Sequence, residues 1–84
     1  MNKRINMNLE QLTSGQQATI TAINAEPAVT RRLVLLGFAP GRIVTMIKCA
    51  PFRDPLEVSI NDGHLCIRRK EAAKISVAPV QETE

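Results

Sequence analysis

The sequence predicts a small, mainly β domain: a closed or nearly closed barrel of about five short strands with one inserted α-helix. Three observations carry that reading. Short runs of alternating apolar and polar residues recur along the chain, turn-forming residues separate them, and a single segment switches to helical spacing. The 84 residues can enclose one core, with little room for a deep cleft. Closure suits such a chain, because it removes strand edges that nothing else is available to cover.

Residues 1–6 and 80–84 are polar and aperiodic, so flexible ends are expected around a domain spanning 7–79. Leu9 and Leu12 belong to a brief first element that stops at the turn signal Thr13-Ser14-Gly15. Ala18 to Ile23 alternates and is rich in β-branched residues, which marks a strand. From Pro27 to Leu36 the pattern changes. Val29, Leu33 and Leu36 recur at i, i+4 and i+7, which predicts a helix with Pro27 in its first turn and Gly37 just past its end. Val34 and Leu35 lie off that stripe, so the helix is expected to be covered on more than one side.

Pro40-Gly41 fits the centre of a type II turn and leads into a strand from Arg42 to Cys49, with Val44 and Met46 on one face. A loop bounded by Pro51 and Pro55 follows. Leu56, Val58 and Ile60 then alternate with Glu57 and Ser59, the cleanest period of two in the chain. Asn61-Asp62-Gly63 joins this run to another in which Leu65 and Ile67 alternate with His64, Cys66 and Arg68, a strong hairpin signal. A helical turn is expected near 70–74, and Ile75 with Val77 closes the series.

Composition narrows the function classes. The 44% hydrophobic and 23% charged fractions are those of an ordinary soluble globular domain. No apolar run approaches the roughly 18–20 residues that span a bilayer, and no apolar core follows Lys3 and Arg4 to make a signal peptide. A cytoplasmic chain without direct membrane insertion is the expectation. Its net charge of +3, from 11 basic and 8 acidic residues, is a mild bias toward acidic partners. It falls short of a nucleic-acid binder's footprint, and no Trp or Tyr offers a stacking platform. Lacking them, the chain also has no aromatic groove for proline-rich peptides.

Catalytic constellations are missing. Gly37-Phe38-Ala39-Pro40-Gly41 lacks the lysine and hydroxyl residue of a P-loop. Asp54 and Glu57 lie close in sequence, but one sits in a proline-bounded loop and the other on an outward strand face. The single histidine, His64, shares a strand face with Cys66, and Cys49 ends another strand. These three make a conceivable metal cluster. Structural zinc takes four ligands, no fourth is evident, and the cysteine spacing matches no zinc or redox motif. The reading is therefore a solvated histidine beside ordinary thiols, with no enzyme activity and no cofactor. The basic pairs Arg31-Arg32 and Arg68-Arg69-Lys70 remain, either as solvated side chains or as part of a docking face.

Three stretches in order resemble the FeoA family. They are Arg32-Leu33-Val34-Leu35-Leu36-Gly37-Phe38-Ala39-Pro40-Gly41, Ala50-Pro51-Phe52-Arg53-Asp54-Pro55-Leu56-Glu57-Val58, and Leu65-Cys66-Ile67-Arg68-Arg69-Lys70-Glu71-Ala72 with Ile75 and Val77 following. Arg53 departs from the small residue common in the family, and neither cysteine is a family hallmark. The resemblance implies an SH3-like barrel with an inserted helix. It further implies a regulatory accessory role in ferrous iron transport and iron homeostasis, beside FeoB, a membrane permease with a cytosolic GTP-binding domain. Similar domains also end metal-dependent repressors, but no helix-turn-helix precedes this barrel, so the stand-alone form is expected.

An apolar helix carrying two arginines is the most conspicuous surface for such a protein–protein contact. The expected contact residues are Arg31, Arg32, Leu35, Leu36, Phe38 and Pro40, although Phe38, just after the helix, is also expected in the core. Two other classes are carried beside it: a basic nucleic-acid-binding barrel, and a small metal-binding protein using Cys49, His64 and Cys66. An exposed barrel edge or the apolar helix would also support a homo-oligomer.

Overall fold

One antiparallel sheet runs through the computed structural model, which describes residues 7–48 and 54–80. Its strands are β1 (Met7–Asn8), β2 (Gln17–Ile23), β3 (Ile43–Lys48), β4 (Leu56–Ile60), β5 (Gly63–Ile67) and β6 (Ile75–Pro79). They lie in the order β1-β6-β2-β3-β4-β5. Helix α1 (Pro27–Leu36) is inserted between β2 and β3, and the short α2 (Arg69–Ala72) between β5 and β6. A 3-10 turn, Leu9–Gln11, follows β1.

Two register shifts bend the sheet. In the β2–β6 ladder Ile20 pairs with Val77 but Ala22 pairs with Ser76, so Thr21 is an extra residue. In the β3–β4 ladder Met46 pairs with Val58 but Lys48 pairs with Glu57, so Ile47 is extra. Such bulges sharpen the local twist and let a short sheet curl. The first also resets the alternation: Ala18 and Ile20 point inward, and past Thr21 it is Ile23 that packs on the core.

The inward positions of the strands supply most of the core, with Val44, Met46, Leu56, Val58, Ile60, Ile67, Ile75 and Val77 all buried. No ladder joins the sheet's two ends, β1 and β5. Leu9 of the 3-10 turn, Ile67 of β5 and Ala72 of α2 all belong to the single buried cluster. Arg69 of α2 reaches Glu10 in the 3-10 turn at 3.6 Å and ties the two elements together.

The turns follow their chemistry. Pro40 and Gly41 sit between Ala39 and Arg42, whose N–H donates to the Ala39 carbonyl at 3.1 Å, and Gly41 has φ 94° as a type II turn requires. In the hairpin the positive φ falls on Asn61 (53°) and Asp62 (65°), the two central residues of a type I′ loop, and not on Gly63. Asp54 accepts a hydrogen bond at 3.0 Å from the Arg69 N–H and so caps α2 from a distant loop.

Several expectations change. A sixth strand exists, because Met7–Asn8 pairs with Ser76 and Val77; two residues are too few to carry a period. Val80, placed beyond the domain, donates to the Gln17 carbonyl at 3.4 Å. Helix α2 begins one residue earlier than expected and ends at Ala72. Leu36 does not complete a buried stripe with Val29 and Leu33: only Leu33 is fully buried, and Leu36 is 44% exposed. The cause is the helix end. Gly37 turns left-handed at φ 115°, its N–H reaches the Val34 carbonyl, and the Phe38 N–H reaches that of Leu33, both at 3.0 Å. In this Schellman closure Phe38 takes the inward position and Leu36 is left outside. Cys49, the 51–53 part of the proline-bounded loop, and the termini 1–6 and 81–84 lie outside the described residues.

Gly37 is the glycine with the tightest constraint. A Cβ there would sit 3.3 Å from Ile60 Cγ2, on a backbone that L side chains rarely adopt. Gly37→Ala is expected to lower the unfolding free energy by about 1–2 kcal/mol in urea titrations. Gly63→Ala, with ordinary backbone and only the Ile60 carbonyl at 3.6 Å, should stay within about 0.5 kcal/mol. Equal losses would remove this account of the helix end.

Candidate functional site

Helix α1 is anchored at both ends and bare along its outside. Pro27 opens it, the Thr30 hydroxyl donates to the Ala25 carbonyl at 3.1 Å, and the Gly37 closure pins the other end. Leu33 is driven fully into the core. Opposite it, the last turn exposes Val34 (42%), Leu35 (82%) and Leu36 (44%). Leu35 is therefore not covered from a second side. The Pro40-Gly41 turn continues this surface and is held firmly, with Gly41 donating to the Ile20 carbonyl and Ile20 to that of Arg42, both at 2.8 Å. Pro40 itself is exposed. Arg42 Nη1 donates to Asn61 Oδ1 at 2.8 Å and links this turn to the β4–β5 hairpin.

Of the expected contact residues, Arg31, Leu35, Leu36 and Pro40 are on the surface. Phe38 is not. It is 1% exposed and belongs to the core, so it shapes the contact surface from beneath and cannot meet a partner directly. Arg32 is exposed but already committed, since its guanidinium pairs with the Glu71 carboxylate of α2. Val34 was missed as a surface residue. Its signal was present in the sequence: an apolar side chain off the buried stripe, read there as covered.

The second basic cluster divides in the same way. Arg69 is half-buried and held against Glu10, whereas Arg68 and Lys70 are exposed. Each basic run thus contributes one arginine to joining elements of the fold and leaves its neighbour outward.

His64 and Cys66 are both exposed on the outer face of β5, opposite Ser59 and Glu57 of β4. Cys49, the third member of the conceivable cluster, lies outside the described residues. Among the described residues, no group of three or more His, Cys, Asp or Glu could hold a metal ion. An open hollow of about 320 Å³ is lined by Gly15, Gln16, Gln17, Thr45, Pro79 and Val80, none of them titratable. Among the described residues, no helix is long and apolar enough to cross a membrane.

Comparison with known proteins agrees with this architecture. The FeoA domain model matches residues 7–79. A curated relative, the Fe(2+) transport protein A/Fe(2+) transporter FeoB fusion protein of Porphyromonas gingivalis, is 38% identical over 71 residues. That match takes in 84% of this chain but only 8% of the fusion protein. The solution structure of a FeoA protein from Chlorobium tepidum is 41% identical with a TM-score of 0.82, covering 93% of this chain and 74% of that one. A Stenotrophomonas maltophilia FeoA, solved with zinc and described as a procaryotic SH3 domain protein, is 31% identical with a TM-score of 0.75, over 84% of this chain and 88% of its own. The bent antiparallel sheet with an inserted helix is therefore an SH3-like fold.

The exposure pattern fixes two expected outcomes. Leu35→Gln should leave the unfolding free energy within about 0.5 kcal/mol, because the side chain packs against little. Phe38→Ala should cost about 3–5 kcal/mol. Chemical denaturation of both variants checks the assignment of one residue to the surface and the other to the core.

Proposed function

The chain belongs to the FeoA family, and from that premise we propose that it is a non-enzymatic accessory of ferrous iron uptake that acts by touching a FeoB-type permease. The contact is made at the cytosolic side of the membrane, to which the chain is recruited through its partner. Iron is the cargo of that partner. The observation that carries this reading is the outer face of α1, where Val34, Leu35 and Leu36 lie exposed beside Arg31. A small domain with so little core has reason to bury three apolar side chains, and leaving them out is costly unless a partner covers them. The relative in which such a domain is joined to a FeoB transporter supports the choice of partner, because fusion makes a contact intramolecular and raises its effective concentration.

Leu35 is the anchor of this surface and Arg31 its electrostatic rim. A titration against the permease's cytosolic domain tests both. Leu35→Gln is expected to weaken binding about tenfold or more, as loss of an interface anchor does. Arg31→Glu should weaken it less and mainly at low salt. Affinity unchanged by Leu35→Gln, in a variant that folds normally, would take α1 out of the contact.

A further inference from the structure

Two arginines join elements of the fold through ion pairs, and they are held very differently. Arg69 is fixed twice, by its side chain against Glu10 and by its N–H on Asp54, and that side chain is 23% exposed. Among the described residues Arg32 pairs with Glu71 alone, and its side chain is 53% exposed. An ion pair this open biases the guanidinium toward its partner by at most about fivefold. Arg69 is a fixture. Arg32 is not.

The place of Arg32 on α1 gives that looseness a use. Residues three and four apart are neighbours on a helix, so Arg32 borders Leu35 and Leu36 of the exposed last turn. A partner seated on that turn comes within reach of its guanidinium. Glu71, for its part, is not stranded when Arg32 leaves. The Glu71 N–H donates to the Arg68 carbonyl and the Lys74 N–H to the Glu71 carbonyl, both at 3.0 Å, which winds residues 68–74 helically. Arg68 and Lys74 thus lie one turn to either side of Glu71. Both are exposed and, among the described residues, neither is in an ion pair, so they offset the charge that Arg32 vacates.

We propose that Arg32 is an exchangeable contact: Glu71 holds it in the free chain, and it transfers to a carboxylate of the permease when the α1 face docks. The exchange rests on the α1 contact with the permease and adds its regulation, since Glu71 competes with the partner for one guanidinium. Arginine suits this role. Its planar fork donates two parallel hydrogen bonds to whichever carboxylate is in reach, while its stem stays on the apolar turn. Docking also excludes water, and a pair at the covered face is screened less than the open Arg32–Glu71 pair. The transfer is therefore driven by the burial of Leu35 and its neighbours.

Calorimetric titration of the full chain against the permease's cytosolic domain, at low salt, tests the exchange with three variants. Glu71→Gln keeps the side chain's shape, removes the competing charge, and should tighten binding about twofold to fivefold. Arg32→Gln should weaken it about fivefold or more. The double variant should bind as Arg32→Gln does, because the gain passes through Arg32. A gain that survives without Arg32 would reduce Glu71 to a general repulsive charge and overturn the proposal. Unchanged or weaker binding by Glu71→Gln, or full affinity in Arg32→Gln, would overturn it too. A second readout needs no partner: by NMR of the free chain, Glu71→Gln should speed exchange of the Arg32 guanidinium protons with water and leave those of Arg69 unchanged. Equal Arg32 rates in the two proteins would show that Glu71 does not hold it. Unchanged affinity in Leu35→Gln would remove the α1 contact and the exchange together, whereas failure of the exchange leaves the Leu35 result standing.

Discussion

The closure of α1 at Gly37 is the constraint on which the rest of this small fold depends. Within two residues the chain reverses from helix to turn, and the Phe38 N–H is committed to the Leu33 carbonyl. That bond brings Leu33 and Phe38 into the core together, which is the hydrophobic contact such helix ends commonly make. With Phe38 inside, Leu36 is left outside and the chain enters the Pro40-Gly41 turn already docked on β2 through Gly41 and Ile20. The exposed apolar face of α1 is thus a product of how the helix ends. Helical periodicity alone would have buried Leu36.

A second economy lies in the charged groups. The sheet is not closed by hydrogen bonds between β1 and β5, and residues near both ends belong to one buried cluster. Three polar contacts brace that region: Arg69 to Glu10, the Arg69 N–H to Asp54, and Arg32 to Glu71. Exposed ion pairs are individually worth about 0–1 kcal/mol, so their value here is mainly positional. They fix α2 against the 3-10 turn on one side and α1 on the other. Because Arg32 and Arg69 are occupied in this way, only Arg31, Arg68 and Lys70 of the two basic runs remain directed at solvent.

Much of this architecture was legible in the residues. Alternation placed β4 and β5, Pro27 and Gly37 bounded α1 at the correct residues, and Pro40-Gly41 and Asn61-Asp62 declared their turns. What escaped had physical reasons. A two-residue strand such as Met7–Asn8 has no period to detect. The bulges at Thr21 and Ile47 arise from pairing between strands, which one strand's sequence does not contain. Phe38 was read both as core and as a contact residue, and the left-handed Gly37 settles it inward. The arginines' loyalties depend on Glu10 and Glu71, remote residues that only folding brings near.

So small a domain has surface that it has no means to cover. A larger protein would lay a helix over the β5 edge and a loop over Leu35; here α1 packs through Leu33 and α2 is held against the 3-10 turn. Val34, Leu35 and Leu36 are apolar and non-directional, suited to a partner that supplies area. The β5 edge is the opposite kind of surface, with fixed backbone donors and acceptors, suited to a strand in one register. The first can be satisfied by any complementary apolar patch with an acidic rim.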